Sequence, residues 1–436
     1  MADAFLVRGG ASLHGSLPVN GAKNSALKLI AAALLAEGRT TIANVPAIAD
    51  IDAMLDVARH LGADVGRDGD GTVTLDVPGE VGTATPPELV RRLRASIVVL
   101  GPLVARHGRA RLAMPGGCNL GSRNIDLHLA GLSRMGAEVT YGPDYVEARA
   151  DELVGAAIEL PFASVGATEN LLLAAVTARG RTRIINAARE PEIADLATML
   201  CRMGARIEGV GSPELVVDGV DRLAPTHHAV VGDRIEAGTF AVAAALTGGD
   251  VTLTGVDPEH LRLALDKLAA AGVDVSGDAA AGLRLRAPGP LRGTDIATLP
   301  YPGFPTDLQP QLLVLLSQAR GTSMLTENVF DGRFSIVAHL RAMGADIDLE
   351  GHHAIVRGPT ALRGCEVIAT DLRQGAALVL AGLVADGETV VADPHHVDRG
   401  YADFAGRLRA LGADVERADA ARARTPGGLP RAVLGP

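Results

Sequence analysis

The sequence predicts an α/β fold of two domains, each built from three copies of one unit, and three observations carry that expectation. A motif of the form [Leu/Met/Ala]-Gly-[Ala/Val]-x-[Val/Ile] occurs six times, at Gly62, Gly136, Gly204, Gly272, Gly344 and Gly412, with intervals of 74, 68, 68, 72 and 68 residues. A second marker lies 23 to 28 residues upstream of each, at Gly38, Gly108, Gly180, Gly249, Gly321 and Gly387, where an apolar run ends and a β-rich run begins. Two phased markers repeated six times are the signature of an internal repeat. The chain has 436 residues and 47% of them are hydrophobic, enough to bury sizeable cores in two or three domains at roughly 150 residues each. A unit of roughly 70 residues is too long for a solenoid repeat, so six units divide into two domains of three.

Each unit reads as helix, strand, helix, strand. The first helices, among them Ser25–Ala36, Glu169–Ala178 and Ala376–Ala385, are apolar on nearly every face, which places them inside a domain. Each runs to a glycine that can take a left-handed cap. A β-branched strand follows, as in Gly38-Arg-Thr-Thr-Ile, Gly180-Arg-Thr-Arg-Ile and Gly387-Glu-Thr-Val-Val. Second, amphipathic helices such as Ile51–Leu61 and Pro191–Met203 end at the Gly-Ala pair that opens the next strand. The domain boundary is expected near His227–Asp233, with a second crossing near Val19–Lys23. That assigns residues 23–230 to one domain and residues 1–22 with 231–416 to the other. Residues 417–436, rich in Ala, Arg, Pro and Gly, read as a mobile tail.

The formal net charge is −10, so the whole-molecule field repels nucleic acid and anionic membrane, and an anionic substrate needs a local cluster of cations. Apolar runs such as Leu27–Ala36 are far shorter than the roughly 20 residues that cross a bilayer. The N-terminal residues lack the pattern of a signal peptide, and the expected location is cytoplasmic. Cys118, Cys201 and Cys365 show no CxxC spacing, hence neither a disulfide framework nor a zinc site. The pairs His227-His228, His352-His353 and His395-His396 invite a metal, but adjacent side chains are expected to point apart and no third ligand stands at suitable spacing. No Walker loop and no GxGxxG after a strand supports a nucleotide-hydrolysing or dinucleotide-binding role.

Polar residues cluster where the buried helices open. They are Lys23-Asn24, Arg92 with Arg94 and Ser96, Thr168-Glu169-Asn170, Asp233-Arg234 with Glu236, Thr306-Asp307, and Thr370-Asp371 with Arg373. Ser, Thr, Asp and Asn there serve as caps. A lysine or arginine is unfavourable at the positive end of a helix dipole, so Lys23 and Arg373 suggest an anion site made of cations and helix N-termini. On spacing alone, six scattered surface caps remain the alternative. The segment Met114-Pro-Gly-Gly-Cys118-Asn-Leu-Gly121-Ser-Arg123 places a thiol among glycines, a loop with backbone freedom and a nearby cation.

These segments resemble the UDP-N-acetylglucosamine 1-carboxyvinyltransferase family of enolpyruvyl transferases. The resemblance rests on Asn20-Gly-Ala-Lys23-Asn24, Leu93-Arg94-Ala-Ser96, Pro115-Gly-Gly-Cys118 through Arg123, and Asp126-Leu-His128. It continues through Ser164-Val-Gly-Ala-Thr-Glu-Asn170, Ala188-Arg-Glu-Pro-Glu192, Phe304-Pro-Thr-Asp307, Asp371-Leu-Arg373 and Asp398-Arg-Gly-Tyr401, so that it spans residues 3 to 416. It implies two inside-out α/β barrels of three repeats each, with the active site between them, and no cofactor or metal. It also implies that the 3′-hydroxyl of UDP-N-acetylglucosamine attacks C2 of phosphoenolpyruvate while C3 is protonated. The tetrahedral intermediate then expels phosphate, the first committed step of peptidoglycan synthesis.

Residue by residue, the resemblance implies that Lys23, Arg123 and Arg399 meet the phosphate of phosphoenolpyruvate and that Arg333 and Arg373 meet its carboxylate, with Asn24 beside them. Guanidinium forks suit both anions. Asp307 is implied as the base for the hydroxyl and Cys118 as the loop residue of protonation and product release, Lys23 and Arg399 completing the catalytic set. Arg94, Arg123, Asn124, Ile125, Asp126, Leu127, Ser164, Val165, Gly166, Asp307 and Val329 are implied contacts of the nucleotide sugar. Asn124 stands where a Pro is usual, Phe162 where a Lys is frequent, Gly332 for an Asn, and Gln374-Gly375 for small residues. A paralogue acting on another uridine nucleotide in secondary metabolism, or a retired nucleotide-binding regulator, are the alternatives. The sister enzyme that uses shikimate 3-phosphate fits less well, because the Pro-Gly-Gly-Cys and Asp126-Leu-His128 segments match the nucleotide-sugar branch.

Overall fold

The computed structural model describes residues 3–113 and 125–419. The six repeat glycines Gly62, Gly136, Gly204, Gly272, Gly344 and Gly412 all hold positive φ, from 97° to 109°, a conformation costly for any residue with a Cβ. This is why the motif recurs: it ends a helix and turns the chain into a strand. The upstream marker behaves alike in five units, whereas in the fourth the left-handed residue is Gly248 rather than Gly249.

The six buried helices are α1 (Lys23–Ala33), α2 (Leu100–His107), α3 (Val165–Ala175), α4 (Arg234–Leu246), α5 (Gln309–Gln318) and α6 (Leu372–Gly382). Every residue of α6 is buried, as expected of a helix that packs on all sides. The helices α1, α3 and α6 start earlier than the apolar runs suggest, so Lys23 and Arg373 lie inside first turns and Glu169 and Asn170 in the second turn of α3. Side-chain caps open α3, α4 and α6, which accounts for the earlier starts of α3 and α6. Ser164 Oγ accepts from the Ala167 N–H at 3.3 Å, Asp233 Oδ1 from those of Ile235 and Glu236 at 2.8 and 3.0 Å, and Asp371 Oδ1 from those of Arg373 and Gln374 at 2.8 and 3.0 Å. The amphipathic helices Ala49–His60 and Pro191–Arg202 agree with expectation to within two residues.

The chain divides into two units. One contains residues 3–20 and 232–419, the other residues 21–113 and 125–231, so the crossings fall between Asn20 and Gly21 and between Val231 and Gly232. Each crossing is bordered by a glycine pressed on its own unit's backbone: a Cβ on Gly21 would lie 1.8 Å from the Asn44 carbonyl oxygen, and one on Gly232 2.0 Å from that of Gly255.

Within the unit of residues 21–231 the sheets close a cycle. Each repeat contributes antiparallel strands, such as Gly38–Ala43, Asp64–Arg67 and Val73–Val77. The chain then passes to the next repeat through a parallel edge: Ala84 with Arg111, Ala157–Glu159 with Arg183–Ile185, and His227–Ala229 with Thr41–Ala43. In the other unit the parallel edges are Ile296–Ala297 with Leu325–Thr326, Glu366–Ile368 with Val390–Ala392, and His14–Pro18 with Asp250–Thr254. Here the cycle is closed by the N-terminus. The strand Asp3–Arg8 lies between Glu388–Ala392 and Asp414–Asp419 as the missing middle strand of the sixth repeat.

That pairing corrects the tail boundary. Residues 417–419 belong to the strand Asp414–Asp419, and Arg417 bonds to Asp3 and, at 2.8 Å, to Asp398. A strand is stabilised by its partner as much as by its own residues, and the partner here is more than 400 residues away. The histidine pairs give a second correction. The rings of His352 and His353 lie 4.0 Å apart, and those of His395 and His396 4.2 Å apart, because each pair sits at a turn or a helix end where period-two alternation does not apply.

Candidate active site

In the unit of residues 3–20 and 232–419, one carboxylate sits between two buried guanidiniums. Asp307 belongs to the short 3₁₀ turn Thr306–Leu308 that opens α5. Arg373, in the first turn of α6, donates to Asp307 Oδ2 from Nε at 3.2 Å and from Nη2 at 3.0 Å. Arg333, from the 3₁₀ turn Arg333–Ser335, bonds to the other carboxylate oxygen and donates from Nε to the Thr306 carbonyl at 3.2 Å. The two arginines are 2% and 1% exposed, while the Asp307 side chain keeps 26% of its surface. Water reaches the anion and not the cations. Two guanidiniums against one carboxylate leave this cluster with a net positive charge.

Behind Arg373 lies a buried network that residue order did not signal. The Arg373 guanidinium lies 5.4 Å over the Tyr401 ring, the Tyr401 hydroxyl is 2.9 Å from Thr239 Oγ1, and Gln311 Nε2 donates to both oxygens at 3.3 and 3.0 Å. Burial alone pulls the Arg373 guanidinium down, but Tyr401, Asp307 and Asp233 outweigh it and hold the group above its ordinary value. Burial raises the Tyr401 hydroxyl, with Arg373 opposing. Arg373 is therefore a fixed cation. Val329 is half-buried on the adjoining turn, its N–H donated to Glu327 Oε1 at 2.8 Å. Arg399, half-buried, closes the short helix His395–Asp398.

In the unit of residues 21–113 and 125–231, Lys23 opens α1 and is 8% exposed, with Nζ 3.1 Å from Asp50 Oδ2. Asp50, in the first turn of Ala49–His60, offsets the repulsion between a lysine and the positive helix end; in the sequence it looks like an ordinary first-turn acid. Asn24 is half-buried, and its carbonyl accepts from Lys28 Nζ at 2.8 Å. Lys28 Nζ also lies 3.4 Å from Glu169 Oε2 of α3. Burial pushes the Glu169 carboxyl up to about 7 against the pull of Lys28. Ser164, Val165 and Gly166 are half-buried at the start of α3; Ile125 is buried, and Asp126 and Leu127 open the helix Asp126–Arg134. Arg94 opens the 3₁₀ segment Arg94–Val99. Cys118, Arg123 and Asn124, and the Arg94 side chain, lie outside the described residues.

Among the described residues no group of three or more His, Cys, Asp or Glu side chains is placed to hold a metal, and no helix is long and apolar enough to cross a membrane. Each unit thus carries its own cations at helix starts: Arg333 and Arg373 in one, Lys23 in the other.

Residues 7–408 match the family model of EPSP synthase (3-phosphoshikimate 1-carboxyvinyltransferase). Among curated relatives, the UDP-N-acetylglucosamine 1-carboxyvinyltransferases of Nocardia farcinica and Corynebacterium jeikeium are 53% and 51% identical, each alignment covering 96% of this chain and 99% of the relative. That of Mycobacterium tuberculosis is 52% identical with the same coverage. Among solved structures, the enolpyruvyl transferase NikO from Streptomyces tendae superposes with a TM-score of 0.87 at 28% identity, covering 96% of this chain and 99% of that one. EPSP synthase from Acinetobacter baumannii shares the fold, with a TM-score of 0.75 at 22% identity, covering 96% of this chain and all of that one. The chain belongs to the enolpyruvyl transferase family that the EPSP synthase model describes, on its UDP-N-acetylglucosamine 1-carboxyvinyltransferase branch.

Proposed function

We propose that the protein transfers the enolpyruvyl group of phosphoenolpyruvate to the 3′-hydroxyl of UDP-N-acetylglucosamine and releases phosphate; its 51–53% identical relatives are named UDP-N-acetylglucosamine 1-carboxyvinyltransferases. The observation that carries the reading is the carboxylate of Asp307 held between Arg333 and Arg373. An acid–base carboxylate and a double guanidinium fork are what addition to a carboxylated enol requires. In this reading Arg333 and Arg373 take the carboxylate of phosphoenolpyruvate, and Lys23, Arg123 and Arg399 take its phosphate, with Asn24 beside them. Asp307 removes the proton from the attacking hydroxyl. Cys118 delivers a proton to C3 or assists product release. The developing charge on the tetrahedral intermediate stays near fixed cations, so little reorganisation is needed as phosphate leaves.

Arg94, Arg123, Asn124, Ile125, Asp126, Leu127, Ser164, Val165, Gly166, Asp307 and Val329 hold the nucleotide sugar in the same reading. The unit of residues 21–231 and the unit of residues 3–20 with 232–419 are then two inside-out α/β barrels that serve one reaction. Its place is the start of peptidoglycan synthesis in the cytoplasm, with small molecules as partners and with neither nucleic acid nor membrane. Support comes from the six buried helices, the cyclic linking of the sheets within each unit, the six repeats and the acidic net charge.

Phosphate release from phosphoenolpyruvate, measured with UDP-N-acetylglucosamine, with shikimate 3-phosphate and with no acceptor, tests the reading. Release only with the nucleotide sugar is the expected result. Release only with another uridine nucleotide, run as a further arm, would assign the paralogue of secondary metabolism instead. No release with any acceptor would leave a nucleotide-binding regulator.

A further inference from the structure

Asn170 sits in the second turn of α3, fully buried, and three of the four hydrogen-bonding directions of its amide have partners among the described residues. The Gly101 N–H donates to its Oδ1 at 2.6 Å, and its Nδ2 donates to the Ile97 carbonyl at 2.9 Å. Those partners leave no freedom to exchange the amide's two ends, since an N–H can only donate and a carbonyl can only accept. Nδ2 therefore also donates to His128 Nδ1, 3.0 Å away, and the ring carries its proton on Nε2. His128 is 7% exposed and lies over the start of α3, where a Cβ on Gly166 would come 3.2 Å from its Cε1.

We propose that Asn170, acting through His128, is the positioning residue of the nucleotide-sugar half of the site. Its amide ties together three segments from three parts of the chain: the 3₁₀ turn Arg94–Val99, the start of helix Asp126–Arg134, and the N-terminus of α3 with Ser164, Val165 and Gly166. Neither Asn170 nor His128 needs to touch substrate for this. One planar amide sets the spacing of all three, and an error of about 1 Å in such a frame costs binding. Gly101 lets α2 and α3 come close enough: a Cβ there would lie 2.3 Å from the Asn170 carbonyl oxygen.

The proposal rests on the nucleotide sugar being the acceptor. Turnover of the unaltered protein with UDP-N-acetylglucosamine is therefore measured first, and its absence overturns that reading rather than this one. Asn170→Asp keeps the shape and the bond from Gly101 but turns an acceptor toward Ile97 and His128. It should raise KM for UDP-N-acetylglucosamine about tenfold while KM for phosphoenolpyruvate moves less than about twofold. His128→Leu should do the same, and His128→Gln, which returns an acceptor for Nδ2, should restore most of the affinity. If Asn170→Asp fails to fold, the two His128 variants decide. Equal KM values in His128→Leu and His128→Gln, or parallel losses for both substrates, would overturn the proposal.

Discussion

Replacing Asp307 by Asn removes one negative charge from between two buried cations and changes almost no volume. Three contacts join the carboxylate to Arg333 and Arg373, and the amide can satisfy one guanidinium while turning an N–H toward the other. Breaking a fully buried pair costs about 3–5 kcal/mol. The Asp307 side chain keeps 26% of its surface, so solvent screening reduces the expected loss to about 2 kcal/mol. For a unit of this size that corresponds to a fall in melting temperature of about 4–8 °C. Turnover should fall further, by about 10² to 10⁴, if the carboxylate is the base for the hydroxyl. Affinity for phosphoenolpyruvate should move the other way or stay level, because its carboxylate no longer competes with Asp307 for the same forks. Calorimetric titration with phosphoenolpyruvate alone, phosphate release with both substrates, and scanning calorimetry separate the three quantities. Wild-type turnover would remove Asp307 as the base. A tenfold loss of phosphoenolpyruvate affinity would show that Asp307 helps the arginines bind substrate instead of occupying them.

Further expectations concern other parts of the molecule. The Glu169 carboxyl ordinarily titrates at 4.5 and is pushed up to about 7 by burial; between those values the folded chain holds a proton that the unfolded chain has lost. Stability present at low pH is thus lost as pH rises from 4.5 toward 7, on the order of 3 kcal/mol. Glu169→Gln should flatten that slope, and an unchanged pH dependence of the melting temperature would refute it. Gly101→Ala would press a Cβ to within 2.3 Å of backbone in α3, and a loss of at least about 2 kcal/mol is expected in denaturant melts; a loss below about 0.5 kcal/mol would show that the helices can part freely. An epoxide phosphonate shaped like phosphoenolpyruvate should alkylate Cys118, preferentially with nucleotide sugar bound. Cys365 is buried with its thiol pushed up, while Cys201 is the exposed competitor, so a mass shift on either would contradict the assignment. Cys118→Asp should retain turnover, because a carboxyl of raised pKa can replace a proton-donating thiol; complete loss in a folded variant would count against proton transfer.

Much of the fold was legible because the repeat is written in residues with narrow conformational reasons. A glycine at positive φ near 100° and an all-apolar helix can be read one unit at a time. From residue types and spacing the candidate site was legible as a set of polar residues at helix starts. The family resemblance added a role for each of them, but not the partners that hold them. Asp50 beside Lys23, and Tyr401 with Thr239 and Gln311 behind Arg373, look like ordinary side chains in the sequence. Their meaning depends on neighbours 27 to 162 positions away.

The sequence by itself determined the repeat, the buried helices, the positions where the chain must turn and the family motifs. Each of these depends on local geometry or on a short string of residues. Tertiary structure alone decided which cation meets which carboxylate and how the sheets close. It also placed the N-terminal strand in the sixth repeat and so carried the last strand to Asp419. Pairing of that kind is settled by distant backbone hydrogen bonds and by the cost of burying unpaired charge, and no run of neighbouring residues encodes either.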